Sequence, residues 1–316
     1  VTSELKQIAV VGAGSIGVSW AVVFARAGHS VAMHDPDGAR RASAEHELRD
    51  RLVELEGAEL LGEAAAQVAD RVTLHAELDA AIAGAAHVQE CAPEDLELKQ
   101  ALFQRLDHKT APDTVLASSS SAITISELAA ALPGRSRCLI VHPANPPHLL
   151  PVVELVPAPF TDESVLATTT TLLESAGMAP VRVRREVEGF IYNRLQGAVL
   201  REAYCLVRDG VATVDDIDRV MRDGLGRRWA VVGPFETVDL NTRGGIDVHA
   251  NRMGPAYARM GAERGQDDPW TAELVEKVVA ARRNLLPLAE WEDRVRWRDQ
   301  MLMEFERTRR ELQIDA

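Results

Sequence analysis

The chain has 316 residues, 46% of them hydrophobic and 26% charged, and a formal net charge of −13 at pH 7. That length and composition suit one large or two ordinary globular domains with a substantial core. The acidic balance argues against nucleic acid or an anionic membrane surface as a partner, since both reward basic patches, and no apolar run is long enough to span a bilayer.

Cys91, Cys138 and Cys205 are far apart and show no metal-ligand spacing, so no metal is expected. Thr2 to Lys6 lead directly into a strand-like run, which leaves no room for a secretory leader and makes a cytoplasmic location the expectation.

Ile8 to Val11 read as a first strand. Gly12-Ala-Gly14-Ser15-Ile16-Gly17 follows it and opens a helix over Val18 to Ala27. In that context Gly12 permits a tight turn, Gly14 lets a pyrophosphate approach the backbone, and Gly17 allows close helix–strand packing. The helix N-terminus then faces the phosphates. A second strand, Ser30 to His34, ends at Asp35, eighteen residues past Gly17, where a ribose-binding acid belongs. A carboxylate there accepts hydrogen bonds from a ribose diol and repels a 2′-phosphate. Pro36-Asp37-Gly38 place no arginine immediately beside it, so NAD is expected over NADP.

Gly38 to Asp70 fit two helices broken near Gly57, longer than an ordinary crossover and expected to project from the sheet as a helical hairpin. Strand-like runs follow at Val72–Leu74, His87–Cys91, Thr114–Ala117 and Cys138–Val141, with helical patterns between them. This alternation predicts an α/β fold with an N-terminal Rossmann-type parallel sheet. After Arg184 the strands stop. Helices are predicted over Ile191–Asp209, over Val214–Asp223 with Thr213 as N-cap, and near Ala272–Leu285 and Trp291–Leu312. The domains are therefore a nucleotide-binding part, 1–187, and an all-α C-terminal part, 188–316.

The most informative segment is His142-Pro-Ala-Asn-Pro-Pro-His148-Leu-Leu-Pro-Val-Val-Glu154. Glu154 stands among Val152, Val153, Leu155 and Val156, an environment that penalises charge, so it needs a partner or faces water from an edge strand. His142, at the end of the preceding apolar run, is the obvious partner, and a carboxylate that orients an imidazole makes a general base. His148 is the competing imidazole, but it lies beyond Pro146-Pro147 and lacks the strand-end position.

The glycine loop, Asp35, the Ser118–Ser121 run, His142-Pro-x-Asn-Pro, Glu154 and Gly189-Phe-Ile-Tyr-Asn193-Arg together resemble the L-3-hydroxyacyl-CoA dehydrogenase superfamily. Asn145-Pro-Pro, Asp223-Gly-Leu-Gly-Arg-Arg-Trp-Ala and Gly233-Pro-Phe-Glu-Thr are similar to the branch of L-gulonate 3-dehydrogenase and λ-crystallin. The resemblance implies His142 as general base toward a 3-hydroxyl, Glu154 as its orienting partner, and Ser121 and Asn193 as ligands of the substrate oxygen. It also implies Ser15, Ile16, Glu94 and Lys99 at the cofactor site, and a homodimer through the C-terminal helices. A related family uses a catalytic lysine on the equivalent long helix; here no lysine falls between Lys109 and Lys277.

For the substrate, the resemblance to the gulonate-type pattern, which carries an arginine there, makes Arg228 the favoured clamp of a free carboxylate, a role that suits the bidentate fork of a guanidinium. Arg40, Arg41, Arg49 and Arg51 on the hairpin could instead receive the phosphates of an acyl-CoA. Three readings stay open: an NAD-dependent dehydrogenase of a small polar 3-hydroxy acid, one acting on an acyl-CoA or L-carnitine, and a non-catalytic crystallin-like nucleotide-binding protein.

Overall fold

In the computed structural model, residues 6–230, 232–243, 245–264, 273, 280, 284 and 287–312 are described. Most of the helix expected near 272–285, and Val231, lie outside them.

Eight strands form one sheet in the order β3-β2-β1-β4-β5-β6-β7-β8. They are β1 (Gln7–Val11), β2 (Ser30–His34), β3 (Val72–His75), β4 (His87–Glu90), β5 (Val115–Ser118), β6 (Cys138–Pro143), β7 (Val152–Pro157) and β8 (Ala179–Arg182). The first six are mutually parallel, with the order reversing between β1 and β4. A reversal of this kind opens a crevice at the carboxyl ends of the strands.

Both faces of the sheet are covered, which is why its central strands are continuous apolar runs rather than alternating ones. Ile8 and Val10 of β1 enter the core on one face, and Ala9 and Val11 enter the core on the other. The first face carries α1 (Ser15–Arg26), α2 (Gly38–Gly57), α3 (Ala65–Ala69) and α7 (Glu163–Ser175); the second carries α4 (Leu78–Ile82), α5 (Leu96–Lys109) and α6 (Ile125–Ala129).

Two expectations about the sheet and hairpin change. The sheet is not wholly parallel, because β7 runs antiparallel to β6. The connection between them is residues 144–151, too short for a crossover that would bring a strand back parallel. The hairpin is present as α2 and α3, but it does not stand away from the sheet. Every residue of α1 from Gly17 to Ala25 is buried, and a helix apolar all round needs cover on both sides. Ala44, Leu48, Leu52 and Leu55 of α2 and Ala65, Val68 and Ala69 of α3 supply the outer cover.

Two compact units are distinguished. One comprises 1–194 with 299–311, and the other 195–298 with 312–316. The division falls a few residues past the expected 187/188 boundary, inside α8 (Tyr192–Arg208). The segment 299–311 belongs to the first unit because Met303 is buried in that unit's core with Leu302 against it.

In the second unit, α9 (Val214–Val220) starts at Thr213, whose hydroxyl and the Asp216 carboxylate form a reciprocal capping box. A π-turn (Met221–Leu225) replaces the last predicted turn of that helix and runs into α10 (Gly226–Trp229). Then come α11 (Pro234–Asn241) and α12 (Gly245–Arg264); α13 (Trp291–Leu312) begins in this unit, and its residues 299–311 belong to the first. No helix among the described residues is long and apolar enough to cross a membrane.

Candidate active site

The glycine loop joins β1 to α1 as its spacing demands. Gly12 has φ +106°, and a Cβ there would stand 2.6 Å from the Cys91 carbonyl oxygen. A Cβ on Gly17 would stand 1.9 Å from the Gly12 carbonyl oxygen, so only glycine lets α1 start this close to β1. At Gly14, the N-cap of α1, a Cβ would meet nothing within 4 Å. Two glycines are thus forced by packing, while the third keeps open the space in front of the orphan amides of a helix N-terminus, a cradle that fits a pyrophosphate.

Asp35 sits at the end of β2 and accepts hydrogen bonds from the Ala13 amide (3.0 Å) and the Asp37 amide (3.0 Å). The absence of a nearby arginine, inferred from sequence order, is corrected by the fold. Arg41 curls back so that its Nη1 donates to the carbonyls of Asp35 (2.7 Å) and Pro36 (3.1 Å). Arg40 donates from Nε to the Ala13 carbonyl (2.7 Å) and from Nη1 to Glu47 (2.7 Å). Arg51 reaches the loop from the same helix, donating to the Ser15 carbonyl (3.0 Å), the Ser15 hydroxyl (3.0 Å) and the Ser19 hydroxyl (2.8 Å).

Beyond the carboxyl ends of β1, β4, β5 and β6 lies a cavity of about 290 Å³ lined by Ile16, Cys91, Ala92, Glu94, Lys99, Ser119, Ser121, His142, Pro143 and Asn145. The serine run enters it in an ordered way. Ser118 donates to Glu90 (2.5 Å), Ser119 accepts from Trp20 (3.1 Å) and Gln89 (2.7 Å), and Ser120 donates to Glu94 (2.5 Å). Three of the four hydroxyls are committed to the scaffold, and Ser121 is the exposed one at the cavity.

Glu94 also accepts from the Ser121 and Ala122 amides, each at 3.1 Å. Burial works to raise its carboxyl, but the Ser120 hydroxyl, Lys99 and the two amides outweigh that and hold it below the ordinary carboxylate value. Lys99 lines the cavity but is spoken for. Its ammonium donates to both oxygens of the fully buried Glu90 (2.8 and 3.0 Å) and to the Ala92 carbonyl (3.0 Å), and lies 3.6 Å from Glu94. The sequence pattern singled out Lys99 without its partner; a carboxylate closing an otherwise apolar strand was the available signal for Glu90.

His142 and Glu154 are directly opposite in the antiparallel β6–β7 register. Nδ1 of His142 lies 2.8 Å from Glu154 Oε2, and both side chains are buried. The other oxygen, Oε1, accepts from the amides of Ile191 (2.7 Å) and Tyr192 (3.0 Å), the first free N–H groups of α8. Glu154 therefore caps the helix that carries Asn193 while it orients the imidazole. Burial pushes its carboxyl up, yet His142 and these two amides bring it below its ordinary value.

The turn into α8 is itself unusual. Gly189 has φ +73° and Phe190 φ +48°, a left-handed conformation that a bulky side chain adopts at a cost of about 1 kcal/mol or more. That turn aims the amides at Glu154 and buries the Phe190 ring edge-on to His142, with centroids 5.5 Å apart. Phe190 escaped the sequence reading because its value depends on a backbone conformation, not on residue spacing.

Asn193 Nδ2 donates a long 3.4 Å contact to the Ser121 main-chain carbonyl, which places Asn193 beside the segment whose Ser121 lines the cavity with His142, although Asn193 is not itself one of that cavity's lining residues. His148 stands apart from it. It is buried with Nδ1 3.2 Å from the Ser19 hydroxyl, and it lines a different cavity with Arg26 and Leu149. Arg228 is exposed on α10 of the second unit.

A glycine loop opening α1, a carboxylate at the end of β2 and a buried imidazole–carboxylate pair at the carboxyl end of β6 are the parts that a nicotinamide-dependent oxidoreductase acting on a carbinol requires. Residues 7–187 match the NAD-binding domain of 3-hydroxyacyl-CoA dehydrogenase, and residues 189–285 match that enzyme's C-terminal domain. The chain belongs to the 3-hydroxyacyl-CoA dehydrogenase family. It is 40% identical over 312 residues to a λ-crystallin homologue of Bos taurus, covering 96% of each chain. It is 39% identical over 288 residues to an L-carnitine dehydrogenase of Streptomyces coelicolor, covering 88% of this chain and 86% of that one. Among solved structures, an NAD-dependent 5-formyl-3-hydroxy-2-methylpyridine 4-carboxylic acid 5-dehydrogenase aligns with a TM-score of 0.77 at 30% identity, covering 88% of this chain and 87% of that one.

Proposed function

We propose that the chain oxidises the 3-hydroxyl of a small, polar 3-hydroxy acid of the L-gulonate type, with NAD as hydride acceptor. The observation that carries this reading is the His142–Glu154 pair: with Nδ1 held at 2.8 Å by a buried carboxylate, Nε2 is the nitrogen available to a substrate hydroxyl. His142 accepts the hydroxyl proton as the carbinol carbon gives up its hydride, and Glu154 stabilises the imidazolium that results. Ser121 and Asn193 hold the substrate oxygen as it becomes a carbonyl. Ser15, Ile16, Glu94 and Lys99 complete the nucleotide side with Gly12, Gly14, Gly17 and Asp35, and NAD supplies the redox chemistry when bound.

A free acid is favoured over an acyl-CoA by the hairpin arginines. Arg40 is engaged by Glu47, Arg49 by Glu45 at 3.2 Å, and Arg51 by the Ser15 and Ser19 hydroxyls, which leaves Arg41, held on the Asp35 and Pro36 carbonyls, as the one of the four hairpin arginines without a side-chain partner among the described residues. Arg228 is the assigned clamp for the substrate carboxylate. The likeness to an L-carnitine dehydrogenase keeps L-carnitine as the second reading.

The exposed apolar side chains of the second unit, Phe235 at 77%, Leu240 at 68% and Val220 at 63%, support a homodimer through these helices. Trp229 and Trp297 are also exposed, while the Trp291 side chain lies outside the described residues.

The test is NADH formation with L-gulonate, L-carnitine, L-3-hydroxybutyrate and L-3-hydroxybutyryl-CoA. Highest kcat/KM with L-gulonate or L-3-hydroxybutyrate, reduced in Arg228→Ala mainly through KM, is the expected result. A preference for the CoA ester, or no turnover of any of the four, overturns the assignment; the second outcome favours a crystallin-like binding protein.

A further inference from the structure

Lys99 is one cation set between two carboxylates. Glu90, wholly buried at the end of β4, takes the ammonium on both oxygens and also accepts from the Ala92 amide (2.6 Å) and the Ser118 hydroxyl. Glu94 stands 3.6 Å from the same ammonium and keeps its side chain 39% exposed at the cavity. Its Oε1 serves the Ser120 hydroxyl and the Ser121 and Ala122 amides, whereas Oε2 meets Lys99 only at that longer distance. Against the penalty of burial, the Ser120 hydroxyl, Lys99 and the two amides keep Glu94 ionised near neutral pH. The Cys91 thiol of the same wall is pushed up to about 12 by burial and adds no charge. Two carboxylates and one ammonium therefore leave this wall with one uncompensated negative charge, and it falls on the cavity-facing Glu94.

We propose that Glu90, which touches neither cofactor nor substrate, is a positioning residue that biases the site toward the oxidised cofactor: by holding Lys99 it leaves Glu94 as a negative charge facing a ring that is cationic only before it accepts hydride. This rests on the reading of His142 as the base that meets the substrate hydroxyl. Hydride transfer brings ring and carbinol within about 3.5 Å of each other, so a carbinol at His142 puts the ring in the cavity that Glu94 lines. Charges around Asp35 and the glycine loop bear on parts that NAD and NADH share, so they cancel when the two forms are compared. Opposite charges attract over several ångströms at a partly solvated site, so no direct bond from Glu94 to the ring is needed.

The test is the ratio of Kd for NAD to Kd for NADH, measured on the full chain without substrate, NAD by calorimetry and NADH by fluorescence. Glu90→Gln is expected to raise that ratio roughly tenfold, because Lys99 then turns its charge onto Glu94. Glu94→Gln should shift it in the same direction. In Glu90→Gln/Lys99→Met a neutral pair fills the space of the buried ion pair and Glu94 regains its uncompensated charge. That double variant should return the ratio to the native value even where both affinities have fallen. A Glu90 that merely held the fold together would weaken both forms alike and give no such return. If Glu90→Gln does not fold, Glu94→Gln and the double variant carry the test. A native ratio in Glu90→Gln, or in Glu94→Gln where the first does not fold, overturns the assignment. A double variant whose ratio stays shifted overturns it as well. Native affinity for both forms in Glu94→Gln overturns it too, and in addition removes Glu94 from the cofactor site.

Discussion

Replacing Glu154 by glutamine isolates what the carboxylate does for His142, because the shape is kept and only the charge and one acceptor are lost. In the native protein Oε1 serves two amide donors, at 2.7 and 3.0 Å, and Oε2 serves one imidazole N–H at 2.8 Å. A glutamine has one oxygen to distribute. Turning it toward the two amides satisfies more donors, which leaves its NH₂ facing Nδ1 and forces the imidazole into the tautomer with the proton on Nε2. That tautomer cannot accept a proton from the substrate. The reverse orientation leaves two buried N–H groups unpaired, at roughly 1–3 kcal/mol each, or about 2–6 kcal/mol in all. At 1.4 kcal/mol per factor of ten, the productive tautomer falls by between about thirtyfold and twenty-thousandfold. Stopped-flow NADH absorbance on the best substrate of the panel should show kcat reduced within that range, and a deuterated carbinol should give a larger isotope effect on kcat than in native protein. NADH affinity, read by fluorescence, should be unchanged. A folded Glu154→Gln protein with kcat within about threefold of native would refute both the tautomer argument and the assignment of His142 as base.

Two further outcomes follow from the geometry. Gly17→Ala puts a methyl 1.9 Å from the Gly12 carbonyl oxygen and should lower the thermal midpoint. Gly14→Ala meets nothing within 4 Å, so its midpoint should stay native while NADH affinity drops about tenfold or more through crowding of the pyrophosphate. Equal melting points for the two variants would contradict the distinction. Glu154 has a folded-state value depressed below its ordinary 4.5, so it favours the folded state above about that pH and loses its contribution as pH falls through the depressed value. Native protein should accordingly destabilise below about pH 4.5 more steeply than Glu154→Gln in urea titrations, and parallel curves would show that this carboxylate carries no such linkage.

Much of the protein was legible in its sequence. The strand and helix periods, the glycine loop and Asp35 are local signals, each set by backbone sterics or by the dipole of one helix. The pairing of His142 with Glu154 was legible too, because a carboxylate in an apolar strand has to be neutralised by something near. Other features depended on residues distant in sequence. The antiparallel turn of β7 put the pair in direct register, and the left-handed Gly189-Phe190 turn brought the α8 amides onto the same carboxylate. Which of the four serine hydroxyls is left uncommitted at the cavity was decided by the partners Glu90, Trp20, Gln89 and Glu94, which no spacing rule connects to the run.

The sequence by itself determined the residues from which the proposed chemistry is built: a glycine loop opening a helix, a carboxylate ending the second strand, and an imidazole with a carboxylate partner. Only the tertiary structure decided the electrostatic surroundings of that chemistry. It closed Lys99 onto Glu90, turned His148 away, and folded Arg40 and Arg41 back beside Asp35. The reason is physical. Local propensity acts over a few residues, whereas charge and desolvation act through space and depend on which helix the core has pressed against which strand.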